Sequence, residues 1–247
     1  MEWTDRAIVL STRPHGESSA VAVLLTREHG RHAGLVKGGR GKAARAALQP
    51  GNLVAVRWRA RLAEQLGSFT WELVAAPGTA WLDDPARLAG LRAACAMAEV
   101  TLAERESQTS MFEGLVAFLA SLPQPDWPAR YVRWEVDLLA ALGFGLDLSR
   151  CAVTGARRGL AFVSPRTGRA VGAEAGEDYR DRLLVLPGFL TDAEATATAT
   201  DVAAGLALTG YFFERHVGGP GGNGLPAARG RLVERLRGLA SAAQGTG

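Results

Sequence analysis

Leu35-Val36-Lys37-Gly38-Gly39-Arg40-Gly41-Lys42-Ala43-Ala44-Arg45 sits between two segments that read as strands. It holds four cationic side chains and three glycines. From Arg31 to Arg61 there are eight Lys or Arg residues and no Asp or Glu. Glycine lets a backbone approach an anion closely, and unopposed cations attract phosphate at range. A mononucleotide loop is excluded: Gly41-Lys42 is followed by Ala43 where a hydroxyl is needed, and Val36 stands where the first glycine belongs. The dinucleotide pattern fails as well, because Gly39-Arg40-Gly41 lacks its third glycine. The loop is better suited to tracking a polyanion than to gripping one nucleotide.

Before this loop the chain has short apolar runs, and after it two segments alternate. Ala7 to Ser11, Ser19 to Thr26 and Arg31 to Val36 read as strands, separated by the turn compositions Arg13-Pro14-His15-Gly16 and Arg27-Glu28-His29-Gly30. Ala43 to Leu48 reads as a short helix stopped by Pro50-Gly51. Asn52 to Arg61 then places Val54, Val56 and Trp58 on one face and Arg57, Arg59 and Arg61 on the other. Ser68 to Val74 groups Phe69, Trp71 and Leu73, and both Trp58 and Trp71 are expected to face inward. Five short strands with a helix after the third have the element order of an OB-type Greek-key barrel. Three like charges on one strand face repel unless an anion or a water-filled groove lies over them; after a basic glycine loop this favours a phosphate-tracking groove, and the predicted nucleic-acid face is Lys37, Arg40, Lys42, Arg45, Arg57, Arg59 and Arg61. His32 is a further candidate for that face, while His15 and His29 read as exposed turn residues.

The charge is unevenly spread. Net charge is +3, yet residues 1 to 80 carry 11 Lys or Arg against 6 Asp or Glu. Beyond Pro77 the chain reads as helices. Asp84-Pro85 caps and opens the first, running to about Glu104; Met111 to Leu122 and Ala129 to Leu142 follow. Residues 146 to 190 read as irregular. Thr191-Asp192-Ala193-Glu194 has the form of a capping box opening a helix to about His216, and a flexible tract from Gly218 to Gly224 follows it. A last helix from Pro226 is read with Leu232, Leu236 and Leu239 inside and Arg229, Arg231, Arg235 and Arg237 around them, in the first place as a solvated face and, as the alternative, as a second basic surface. The fold class is therefore α+β: an OB-fold nucleic-acid-binding domain over residues 1–78, then a helical domain over 79–247 with an irregular loop at 147–190.

No catalytic set emerges. The four histidines stand in no metal-ligand spacing, Ser18 and Ser19 lack the setting of a nucleophile elbow, and no cofactor motif is present. Cys95 lies on an apolar helix face and reads as a buried structural thiol. Two cysteines and a charged N-terminus without a signal peptide lead to the expectation of a soluble, cytosolic protein with reduced thiols.

Several short motifs occur in a fixed order: Ala7-Ile8-Val9-Leu10-Ser11, Gly16-Glu17-Ser18, Thr26-Arg27-Glu28-His29-Gly30, Val36-Lys37-Gly38-Gly39-Arg40, Leu48-Gln49-Pro50, Leu142-Gly143-Phe144, Leu146-Asp147-Leu148, Cys151 and Phe162-Val163-Ser164-Pro165-Arg166-Thr167-Gly168. In these the chain closely resembles the bacterial RecO family of recombination mediators, over nearly its whole length. The resemblance implies a non-enzymatic, nucleoid-associated protein that binds single- and double-stranded DNA and anneals complementary strands. It also implies that, with RecR, the protein helps load RecA onto strands coated by single-strand DNA-binding protein, with RecF among the possible partners. The rival reading is a protein-interaction adaptor without DNA binding of its own. Members often carry a zinc module of two Cys-x-x-Cys pairs. Here the first pair reads Cys151-Ala152-Val153-Thr154, and Gly172-Ala173-Glu174-Ala175 stands in place of the second. The expectation is a zinc-finger-like loop without zinc ligands, held instead by Val153, Phe162, Val163, Val171 and Leu186 around a small buried Cys151.

Overall fold

The computed structural model describes residues 1–217 and 224–244. Most of the glycine tract from Gly218 lies outside these residues. The chain divides into two compact units, Met1–Leu122 and Pro123–Gly247. The sequence boundary at 78/79 falls within a 3-10 turn, Pro77–Trp81.

The first unit is built on a closed barrel of β1 (Glu2–His15), β2 (Ser19–Thr26), β3 (Arg31–Val36), β4 (Leu53–Arg59) and β5 (Ser68–Ala75), in the order β1-β2-β3-β5-β4. Helix α1 (Lys42–Ala47) sits between β3 and β4, the OB-type order. Alternation works as expected on β4: Val54, Val56 and Trp58 are buried, and Arg57 and Arg59 stand outside. These three join Ala7, Val9, Ala22, Leu24, Leu48 and Phe69 in the core. β3 passes so close to the Phe69 ring that a Cβ at Gly34 would lie 2.5 Å from it.

β1 is much longer than the apolar run that signals it. Its shift of register between Val9 and Ser11 lets it pair with both β4 and β2, and it continues through Arg13 and Pro14 to a turn at Gly16. Ala7 to Leu10 are buried consecutively because both faces are covered, one by the barrel core and the other by packing that includes helix α2 (Pro85–Thr101). Ser11 donates to Glu99 of α2 at 2.7 Å. The expected cap opens this helix: Asp84 accepts from Ala86 N at 3.1 Å and Arg87 N at 3.0 Å. Cys95 is buried, and burial pushes its thiol up to about 12. Helix α3 (Thr109–Ser121) completes this unit.

The second unit contains α4 (Trp127–Ala141), a three-stranded sheet of β6 (Leu160–Val163), β7 (Ala170–Gly172) and β8 (Leu184–Val185), a one-turn α5 (Ala173–Gly176), α6 (Ala199–His216) and α7 (Ala227–Gln244). The sheet order is β7-β6-β8. It occupies the region that reads as irregular in sequence, because strands of two to four residues are too short to show a period. The capping box is real but misplaced in the sequence reading. Thr198, not Thr191, is the cap: Asp201 N donates to Thr198 Oγ1 at 3.1 Å, and Thr198 N to Asp201 Oδ2 at 2.9 Å. Thr191 instead closes a 3-10 turn over Gly188–Leu190. No described helix is long and apolar enough to cross a membrane.

Candidate nucleic-acid interface

β3 and β5 close the barrel through a single paired position, Leu35 with Ser68, supported by Leu35 N donating to Gly67 O at 3.0 Å. Past that point the strands part and leave a cleft of about 540 Å³ lined by Val36, Lys37, Arg57, Arg59, Ser68, Phe69, Thr70 and Trp71. Lys37 enters from the end of β3, the two arginines from the outer face of β4, and Thr70 from the outer face of β5. This cleft unites three of the seven residues expected on a DNA face.

The other four are exposed, but they do not line it. Arg40 is on the glycine loop, where its guanidinium donates to Gly16 O at 3.1 Å. Lys42 and Arg45 lie on α1. Arg61 is not part of the ladder: β4 ends at Arg59, and Ala60 N donates to Met1 O at 3.1 Å as the chain leaves the sheet. Trp58 Nε1 then pins the following loop through Leu66 O at 3.0 Å.

The glycine loop does not offer three free N–H groups, since Gly39 N, Arg40 N and Gly41 N donate to Val36 O, Ser18 O and Gly38 O at 3.1, 3.1 and 2.9 Å. Gly38, at φ +66°, is there to make the turn. The loop therefore presents side chains, not a backbone cradle. The repulsion between Arg57 and Arg59 is answered within the barrel by Glu2 on β1, which pairs with Arg57. Its carboxyl is held below the usual range by the hydrogen bond from Arg57, with smaller contributions from the charges of Arg57 and Arg59. Glu2 lies 55 residues from Arg57 in sequence, which is why counting local charges missed it.

The histidines also fall differently. His32 is 4% exposed, its ring edge-on to Trp58 at 4.9 Å and Trp3 at 5.1 Å, so it is not on the basic face. Burial lowers its pKa to about 4, helped by the charge of Arg105. His29 is held against Trp3, rings 4.1 Å apart, with Nδ1 3.2 Å from Asp5 Oδ2. Trp71 is half-buried, packed on the core and also lining the cleft.

In the second unit, the residues at the expected zinc positions do not suit a metal. Cys151 is buried, and its Sγ accepts from Gly172 N at 3.2 Å and Thr154 N at 3.5 Å. Burial raises this thiol's pKa, hydrogen bonds from Thr154 and from the backbone of Thr154, Gly172 and Val153 lower it, and the balance falls to about 7. Gly172 and Ala175 bring no donor side chain. Among the described residues no group of three or more His, Cys, Asp or Glu is placed to hold a metal ion. Val163, Val171 and Leu186 are buried in this module as expected and Phe162 half-buried, but Val153 is 72% exposed on the turn. The last helix differs too: Leu232 is buried, Leu239 is exposed, and Arg229 lies inside.

Comparison with known proteins agrees with this architecture. A family model described as Recombination protein O N terminal matches residues 1–76, and one described as Recombination protein O C terminal matches residues 82–223. The chain is 54% identical to the DNA repair protein RecO of Rhodospirillum rubrum, over 96% of this chain and 97% of that protein. It is 52% identical to the DNA repair protein RecO of Phenylobacterium zucineum and 48% to that of Caulobacter vibrioides, each over 96% of this chain and 98% of the relative.

Proposed function

This chain belongs to the RecO family of DNA repair proteins, and from that premise we propose that it acts by binding DNA at the barrel cleft and annealing complementary strands. The observation that carries the proposal is the opening beside Leu35 and Ser68, where Lys37, Arg57 and Arg59 meet Thr70 and Trp71. Cations there neutralise phosphates, and an aromatic edge suits unpaired bases. Arg40, Lys42, Arg45 and Arg61 extend the attraction at longer range. Annealing needs two strands of like charge brought together; it involves no bond-making step, and on this reading the protein is not an enzyme and needs no cofactor. With RecR, and with RecF as a possible further partner, it helps load RecA onto strands coated by single-strand DNA-binding protein. Its place is the cytoplasm, at the nucleoid.

Titrating labelled single-stranded DNA at several salt concentrations tests this. The affinity of the intact protein falls with salt, by about 0.7 log units per log unit of salt for each phosphate neutralised. The K37S/R57S/R59S variant binds more weakly and with a shallower slope. Salt-independent or absent binding by the unaltered protein overturns the proposal and favours the adaptor reading.

A further inference from the structure

The second unit carries an arginine-rich stretch of its own. From Leu148 to Ala173 there are five arginines and no acidic residue. All five, Arg150, Arg157, Arg158, Arg166 and Arg169, are exposed. Arg166 and Arg169 belong to the turn between β6 and β7, where Gly168 N closes back on Ser164 O at 2.9 Å.

This turn is docked onto two other segments of the same unit. Arg215, near the end of α6, donates to Pro165 O at 2.7 Å and to Tyr211 Oη at 3.4 Å. Asp147 N donates to Gly168 O at 3.0 Å, and Asp147 pairs with Arg169 at 3.5 Å. Both acceptors of Arg215 are neutral, so its charge is not cancelled. Arg166 makes no ion pair among the described residues.

Beside these cations lies an exposed aromatic stack. Helix α4 ends in a Schellman motif: Gly143, at φ +84°, donates to Ala140 O at 3.0 Å, and Phe144 N donates to Leu139 O at 2.9 Å. That motif fixes where the Phe144 ring goes. The ring stacks on His216 at 4.1 Å and 10°, while remaining 37% exposed. Tyr211, on the same helix as His216, is 36% exposed. Isolated exposed apolar residues need no explanation, but a parallel ring pair next to unpaired guanidinium groups combines the two contacts that single-stranded nucleic acid makes.

We propose that this corner of the second unit, with the Phe144–His216 stack flanked by Arg166 and Arg215, is a second binding site for single-stranded DNA, separate from the barrel cleft. An unpaired base lies against the exposed Phe144 face, and the arginines take the flanking phosphates. The inference rests on reading the protein as a DNA binder, and it gives annealing what one cleft does not supply, a place for the second strand. An acidic peptide is the competing occupant; it can pair with the arginines, and it stacks on the rings only where it carries an aromatic side chain.

The test uses the full chain and fluorescein-labelled oligothymidylate, followed by anisotropy. Phe144→Leu keeps an apolar group at the helix end and removes the ring. In the K37S/R57S/R59S background, which leaves the second site as the main binder, F144L lowers affinity for oligothymidylate at least about fivefold. Duplex affinity is unchanged by F144L, because paired bases are not available to stack. Arg166→Ser weakens both forms and flattens the single-strand salt slope by about 0.7. F144L and R166S in the otherwise unaltered chain slow annealing while the barrel still binds one strand. Equal oligothymidylate affinity with and without F144L, in folded protein, overturns the second site and leaves the barrel reading standing. Loss of binding to an acidic decapeptide with DNA binding intact also overturns it, since the corner is then a protein-docking surface. Failure of the unaltered protein to bind any DNA removes the barrel reading as well.

Discussion

Arginine does opposite work in the two units. On β4 of the barrel, Arg57 and Arg59 are exposed because strand alternation puts them opposite Val56 and Trp58; the Arg57 side chain is 61% exposed even while paired with Glu2. On the first turn of α7, Arg229 is 7% exposed and Glu135 of α4 is fully buried. Arg229 donates to Glu135 Oε1 and Oε2 at 2.7 and 2.9 Å, to Leu206 O at 2.9 Å and to Thr209 Oγ1 at 3.1 Å. Thr209 in turn donates to Glu135 Oε2 at 2.5 Å. Burial alone would lower the pKa of Arg229, but the carboxylate beside it more than reverses this and raises it. Burial raises the Tyr131 hydroxyl well above its ordinary value, with the Glu135 charge adding to it. Gly210 leaves room for the guanidinium, since a Cβ there would sit 3.0 Å from it. A formal charge count treats all three arginines alike. Water screens two of them and leaves their charge available to a ligand, while the third is spent on holding α4, α6 and α7 together.

The sharpest break of this contrast is removal of one buried partner. Glu135→Ala strands a guanidinium in the interior and should cost the second unit about 3–5 kcal/mol. Urea melts should show it, and E135L/R229M together should recover much of the loss. A change below about 1 kcal/mol for E135A would mean that water reaches the pair.

The barrel has its own buried titratable group, and acid tests it. His32 titrates near 4 when folded against 6.5 when free. The unfolded chain therefore takes up the proton first, so the contribution is constant above about pH 6.5 and stability falls as pH drops towards 4, by about 3 kcal/mol in all. His32→Phe should flatten the stability profile across that window. An unchanged profile would show that another group governs acid unfolding.

Cys151 should show an intermediate effect. Replacing it with Ala removes the acceptor of two N–H groups in a buried position, at about 1–3 kcal/mol, whereas Ser should restore part of it. Zinc analysis of the purified protein should find well under one equivalent, and chelator should leave the melting temperature unchanged.

The smallest stability change belongs to the residues with the largest expected effect on binding. Arg57→Ser and Arg59→Ser should each move stability by no more than about 0.5 kcal/mol. Together they should reduce the single-strand salt slope by about 1.4. A large loss of stability from either would place these arginines with Arg229, as structural groups.

The strand order of the barrel was legible in the sequence, although β1 runs well past the Ala7–Ser11 segment that signals it. β3 and β4 alternate between a buried and a more exposed face and show their period directly, while β2 is a continuous apolar run bounded by turn residues, so β2 and β3 were readable to the residue and β4 to within two. The sequence also located α2, α3 and α4, because Asp84-Pro85 and the apolar spacing are local signals, and it found the basic loop, but it opened α6 at Thr191 in place of Thr198. What it did not contain was the partner of each charged group. Glu2 with Arg57, Glu135 with Arg229 and the Cys151 contact with Gly172 span 55, 94 and 21 residues. The sheet between α4 and α6 was equally hidden, since its strands take their form from such contacts and not from a pattern of their own. Which cations are buried, which are paired and which stay exposed is a matter of the tertiary fold, because Coulomb attraction and desolvation depend on distance in space and on burial, and sequence spacing fixes neither.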